Sequence, residues 1–234
     1  MKTIKKTFGI VACVGILAAS ATSVLGQSDT ETLAYLAGTP GATLTVDDKT
    51  FSGFYYLPSD LVSFDPNTIT VTATESGGID YLTWSGNMSL VSGGVATADL
   101  LLHYIVTSTG GPIDMIDQAY TGNAENGWLS VDETAALGAF GGIIVGSSHL
   151  TGIIPSNPPS YANDNLNIVP PETVLYVTKD LGFGVSSLDG GFITISQVGQ
   201  SFHQEVPEPS AMLLGSLGSG LLLFLRSRRQ ARRD

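Results

Sequence analysis

Ala98-Asp99-Leu100-Leu101-Leu102-His103-Tyr104-Ile105-Val106-Thr107 is the longest stretch of the chain with the pattern of a β-strand. It holds no glycine or proline, and its side chains sort by twos. Leu100, Leu102, Tyr104 and Val106 share one face; Leu101, His103, Ile105 and Thr107 share the other. Apolar residues on both sides predict a central strand covered on two faces.

Similar signals recur on either side of this strand. Upstream, Thr43 to Val46 alternates, Asp47-Asp48-Lys49 turns, and Thr50 to Leu57 continues, which predicts a hairpin with a three-residue loop. Asp65-Pro66-Asn67 turns into a strand over Thr68 to Ala73, and Glu75-Ser76-Gly77-Gly78 turns into Ile79 to Trp84. Downstream, strands are expected over Gly127–Glu133, Gly142–Val145, Thr173–Thr178 and Gly191–Val198. Pro155 to Pro171 holds five prolines and reads as a long loop, and Thr134 to Phe140 as one short helix. Many short strands with turn residues between them predict an all-β body, an antiparallel β-sandwich of jelly-roll-like kind over residues 27–204.

The two ends are of different composition. Residues 1–26 read as a signal peptide: Lys2, Lys5 and Lys6, then an apolar run from Phe8 to Ala19, then small residues that allow cleavage after Ala21 or Gly26. That assigns signal peptidase and an export translocon as partners. The only cysteine, Cys13, leaves with the signal, so the mature chain has no thiol for a disulfide or a nucleophile. Lys49 and Lys179 are the only basic residues between the ends. Residues 27–206 therefore carry two lysines against 19 acidic residues, a net charge of −17. With no cations to displace phosphate counterions, the body is excluded from nucleic-acid binding.

The C-terminal segment 205–234 opens with Val206-Pro207-Glu208-Pro209. The prolines hold it extended. Ser210 starts a predicted membrane helix over 210–225. Its uncharged run, Ala211 to Leu225, is about 22 Å long as a helix, short of a hydrocarbon core of roughly 30 Å. Arg226, Arg228, Arg229, Arg232 and Arg233 follow and act as a cytoplasmic stop, which puts the body outside, as the signal peptide independently requires. A Pro-Glu-Pro triplet, a glycine-interrupted apolar segment and a terminal arginine cluster, in that order, resemble the PEP-CTERM sorting signal. The resemblance implies recognition of Pro207, Glu208 and Pro209 by exosortase, a transient stay in the inner membrane, and a final place at the cell surface or in extracellular polysaccharide.

The body offers little catalytic chemistry. His103 and His149 lie in apolar β surroundings, and Gly146-Ser147-Ser148-His149 lacks a nucleophile elbow. Gly182-Phe183-Gly184 with Ser187 misses a dinucleotide fingerprint and reads as a turn or bulge. No zinc ligands cluster. Carboxylates pair in sequence at Asp47-Asp48, Asp114/Asp117 and Asp132-Glu133, without showing whether any two face each other in space. Asn163-Asp164-Asn165-Leu166-Asn167 has the oxygen ligands of a calcium loop but lacks its glycine and glutamate. Trp84, Trp128, Tyr55 and Tyr56 are candidates to stack on sugars or to fill the core. The expectation is a non-enzymatic, cofactor-free surface or matrix protein with a structural or adhesive body. Its alternatives are a carbohydrate-binding module of the exopolysaccharide layer and, behind that, a polysaccharide hydrolase.

Overall fold

The computed structural model describes residues 28–153 and 160–204. The expected signal peptide, the Val206–Pro209 motif, the helix over 210–225 and the five arginines lie outside the described residues. Among the described residues no helix is long and apolar enough to cross a membrane.

The body is a sandwich of two antiparallel sheets. One contains β1 (Ser28–Thr32), β4 (Ser63–Phe64), β5 (Thr70–Ser76), β6 (Ile79–Ser92), β8 (Ile113–Glu125), β11 (Ser160–Glu172) and β13 (Gly191–Gln204), in the order β1-β5-β6-β13-β8-β11 with β4 beside β6. The other contains β2 (Leu44–Val46), β3 (Lys49–Pro58), β7 (Ala96–Ser108), β9 (Gly127–Leu137), β10 (Ile143–Ile153) and β12 (Val174–Val185), in the order β10-β9-β12-β7-β3-β2. From β6 onward every connection crosses between the sheets except the β9–β10 hairpin. Between bulges the strands alternate, and the inward residues of both sheets meet in one core. At its centre Phe51, Trp84, Tyr104 and Phe202 lie ring against ring, with centroids 5.1–6.3 Å apart.

Local chemistry sets the turns. Gly77 and Gly78, at φ 65° and 81°, form the two-residue turn between β5 and β6. The β2–β3 loop is one residue shorter than the sequence predicts. Asp47 takes φ 46°, Val46 pairs with Lys49, and Lys49 becomes a fully buried strand residue. Its ammonium bonds Asp48 at 2.6 Å and, across the sandwich, Asp80 at 3.0 Å. Those partners are why a lysine can leave the turn for the interior.

Four other expectations are corrected. Thr134 to Phe140 is not a helix: β9 runs on to Leu137, with Glu133 and Ala135 continuing its buried face. The one helix described, α1 (Leu33–Gly38), buries Leu33 and Leu36 and is capped by Thr32, whose hydroxyl accepts from the Tyr35 N–H at 3.3 Å. Most of the loop expected over Pro155 to Pro171 is β11. It lies at the sheet edge, and its register slips between Asn167 and Glu172, where Pro170 and Pro171 sit. Within it Asn163 to Asn167 is extended and paired with β8. Leu166 is buried between the exposed Asn165 and Asn167, so the segment has the geometry of a strand and not of a calcium loop. Finally, β7 is central, between β12 and β3, but only its Leu100 face is covered. Leu101, His103, Ile105 and Thr107 are half-exposed on the outer surface.

Candidate functional site

The first candidate is a groove on the outer face of the seven-stranded sheet, where β6, β13, β8 and β11 run side by side. Its floor is Gly199, which pairs with Thr83 on one side and Ala119 on the other. A larger side chain here would fill the hollow. Around the floor stand Tyr81 from β6, Gln197 and Ser201 from β13, Asp117 and Thr121 from β8, and Asn165 from β11, enclosing about 320 Å³. The pleat explains the set: each is an outward residue of its strand, in register with its neighbour, as in the row Tyr81–Ser201–Asp117–Asn165.

One end of the groove is a polar triangle. The His203 Nε2 lies 2.9 Å from Oδ2 of Asp117, and the Ser201 hydroxyl donates to the same oxygen at 3.2 Å. Serine, histidine and aspartate are thus together, but not as a relay. Both partners converge on one carboxylate oxygen, whereas a triad needs the histidine between the other two. The other carboxylate oxygen, Oδ1 of Asp117, is buried and has no hydrogen-bond partner among the described residues. It is an acceptor in want of a donor.

Beneath this sheet lies a buried polar layer that the sequence analysis missed. Lys179 on β12 and Glu133 on β9 are opposite each other, both fully buried, with Nζ 3.1 Å from Oε2. From the other sheet, Gln118 accepts from Lys179 at 2.8 Å and Gln200 donates to Glu133. The Tyr104 hydroxyl donates to Gln200 at 2.5 Å, and Gln118 donates to Ser148 at 2.7 Å. Burial pushes Glu133 up and Lys179 down, and each is held back by the opposite charge of the other. A signal for this was present. Lys179 follows Leu175 and Val177 at spacing two, and Glu133 follows Leu129 and Val131 likewise, so both occupy core positions of alternating strands.

The remaining candidates separate in space. Asp132 points outward while Glu133 points inward, so that pair shares no site. Asp47, Asp48 and Asp80 offer carboxylate oxygens within 4.8 Å of one another, but the Lys49 ammonium already bonds two of them. His149 is on the outer face of β10, 2.6 Å from Asp132 and exposed. Trp84 is core, and Tyr56 is half-buried against Phe64. Tyr55 and Trp128 are on the outer face of the six-stranded sheet, where Tyr55 is 48% exposed.

No known protein family matches the sequence, and no curated protein matches it. Solved structures resemble it at low similarity. TmCBM61 in complex with beta-1,4-galactotriose is 10% identical, with a TM-score of 0.35 over 65% of this chain and 90% of that one. A CBM4 structure is 7% identical, with a TM-score of 0.26 over 66% of this chain and 87% of that one. An apo cyclase from Fischerella sp. is 13% identical, with a TM-score of 0.31 over 76% and 98%. Similarity this low carries no argument about a ligand.

Proposed function

We propose that the body is a glycan-binding module for neutral polysaccharide, held at the cell exterior by the sorting tail. The groove around Gly199 carries this reading. Sugars present hydroxyls that donate and accept at once, above apolar C–H faces. The groove answers with amides (Gln197, Asn165), hydroxyls (Thr121, Ser201), one carboxylate (Asp117), and one outward-facing ring (Tyr81). Neutrality follows from charge. Both lysines of the body are buried, and no arginine lies among the described residues, so no Lys or Arg is there to pair with a uronate or sulfate. Binding rather than hydrolysis is supported by the single carboxylate lining the groove, since glycosidases use two that flank the bond.

Tyr81 is half-buried and forms one wall. In the Tyr81→Ala variant, retardation of the full chain in gels containing a neutral galactan, glucan or mannan weakens about tenfold, the worth of roughly 1.4 kcal/mol of ring contact. Unchanged retardation of a wild type that does bind would remove the groove from the reading.

The tail supplies the address. A proline-flanked extended segment beside a membrane suits a protease cleft, which docks extended backbone, and Glu208 offers one charge to a basic pocket. Pro207→Ala and Glu208→Ala therefore leave the chain unprocessed in the membrane fraction. Mass spectrometry of the released form locates both termini in the wild type. Release of both variants at the wild-type rate would sink the sorting assignment.

A further inference from the structure

The second apolar side of β7 is the least expected feature of the molecule. The sequence reads as a strand covered on both faces, yet Leu101, His103 and Ile105 face outward and half-exposed. Their neighbours are of the same kind. Tyr55 packs against His103 with centroids 5.7 Å apart, His103 stacks on Phe140 at 4.5 Å, and Phe140 meets Tyr176 edge-on at 5.3 Å. Four rings thus form a row across the outer face of β3, β7 and β12. Beside the row is a hollow of about 410 Å³ bounded by Leu57, Leu101, Ser59, Asp99 and Asp180. Oδ1 of Asp180 is buried there without a hydrogen-bond partner among the described residues. Further along the same face the Trp128 indole packs directly on Gly184, where an added Cβ would meet ring atoms at 2.0–2.4 Å. Glycine at that position lets the ring settle against the sheet.

The charges on this face narrow what can cover it. Asp99, Asp132 and Asp180 lie on it, and Asp180 is raised by burial and by the other two. No lysine or arginine lies on it among the described residues. A second copy docked face to face would oppose three carboxylates with three more, and an anionic membrane would be repelled. A neutral polyhydroxyl chain meets neither obstacle. It can lay C–H faces on the rings and donate hydroxyls to the carboxylates.

We propose that this face is a second glycan-binding surface, so that one body grips two neutral polysaccharide chains on opposite sides of the sandwich and cross-links them. The proposal rests on the reading of the groove as a glycan site, and adds valence to it. The outer faces of two packed sheets point away from each other, so one chain cannot occupy both without wrapping round the edge.

The test uses the full chain in detergent with soluble neutral galactan, glucan and mannan. Gly199→Val blocks the groove. Tyr55→Ala/Leu57→Ser strips the second face at two residues that are 48% and 55% exposed, so the fold is retained. The wild type is expected to raise light scattering of at least one polysaccharide severalfold. Each variant is expected to remain retarded, though less than the wild type, in a gel of that polysaccharide but to leave its scattering unchanged, and the combined variant to lose both. If Tyr55→Ala/Leu57→Ser still cross-links like the wild type, the second surface is wrong while the groove stands. If Gly199→Val alone binds and cross-links like the wild type, the groove is wrong and two-sided gripping falls with it. Absence of retardation for the wild type on all three polysaccharides overturns both.

Discussion

Replacing Lys179 with methionine lowers the unfolding free energy by about 3–5 kcal/mol, the cost of breaking a buried ion pair on one side. The reason is what remains. Glu133 keeps its place at zero exposure with only the Gln200 amide to stabilise it, and the Gln118 carbonyl loses its donor. Both deficits sit between the sheets, where water does not reach. The loss is a large fraction of the stability of an ordinary domain. Urea unfolding followed by the fluorescence of the buried Trp84 reads it as a fall in midpoint. The double variant Lys179→Met/Glu133→Leu recovers most of the loss, because it removes the isolated charge rather than stranding it. A single-variant loss below about 1 kcal/mol would mean that the pair contributes no more than an exposed one.

The second large effect concerns the groove. Gly199→Val abolishes binding of neutral polysaccharide at the groove, by at least about a hundredfold in that site's affinity, or 2.7 kcal/mol, and leaves only the weaker hold of the second face. Few changes would be so selective. A Cβ at Gly199 meets only the Thr83 hydroxyl at 3.8 Å and the Ala119 carbonyl at 4.0 Å, ordinary contacts that demand no shift. Residue 199 does not take a positive φ, and valine favours strands. Stability is therefore held or raised while the floor rises into the space a sugar would fill. Calorimetric titration with the polysaccharide reads the affinity, and the urea midpoint reads the fold. A tight site whose affinity stays within threefold of wild type would show that the groove does not hold the ligand.

The fold was legible where side chains alternate over an unbroken run. Leu100 to Val106 and, as far as the bulge after Ile195, Gly191 to Val198 are strands because one face of each had to be buried. The β5–β6 turn was legible because Gly77-Gly78 supplies two positive φ angles. Other elements were hidden for physical reasons. β8 escaped notice because Asp114, Asp117, Gln118 and Asn123 interrupt its pattern, yet Gln118 is buried and bonded to Lys179. A polar residue inside a bonded layer reads as a surface residue until its partner is known. β11 was masked by its prolines, which an edge strand tolerates and a central strand does not. The outer face of β7 was misread for the opposite reason. Its residues are apolar, and apolar patterning alone does not distinguish a covered face from one left open for a ligand.

The groove was scarcely legible at all. Tyr81, Asp117, Asn165, Gln197 and Ser201 are scattered over more than half of the body, and only strand register brings them together. No spacing in one strand announces a row that crosses four. What the sequence did carry was the charge argument. With two lysines among so many carboxylates, the surface was bound to be anionic, and the structure adds that both lysines are inside. The proposed selectivity against acidic glycans rests on those two facts together.

The most direct measurement is retention of the full chain on parallel columns of neutral and uronate-bearing polysaccharide at low salt, with Gly199→Val run alongside. Wild type held on at least one neutral matrix and excluded from the acidic ones, with Gly199→Val showing much weaker retention there, is the predicted result. Retention on the acidic matrices alone, or equal retention of wild type and variant, would contradict it.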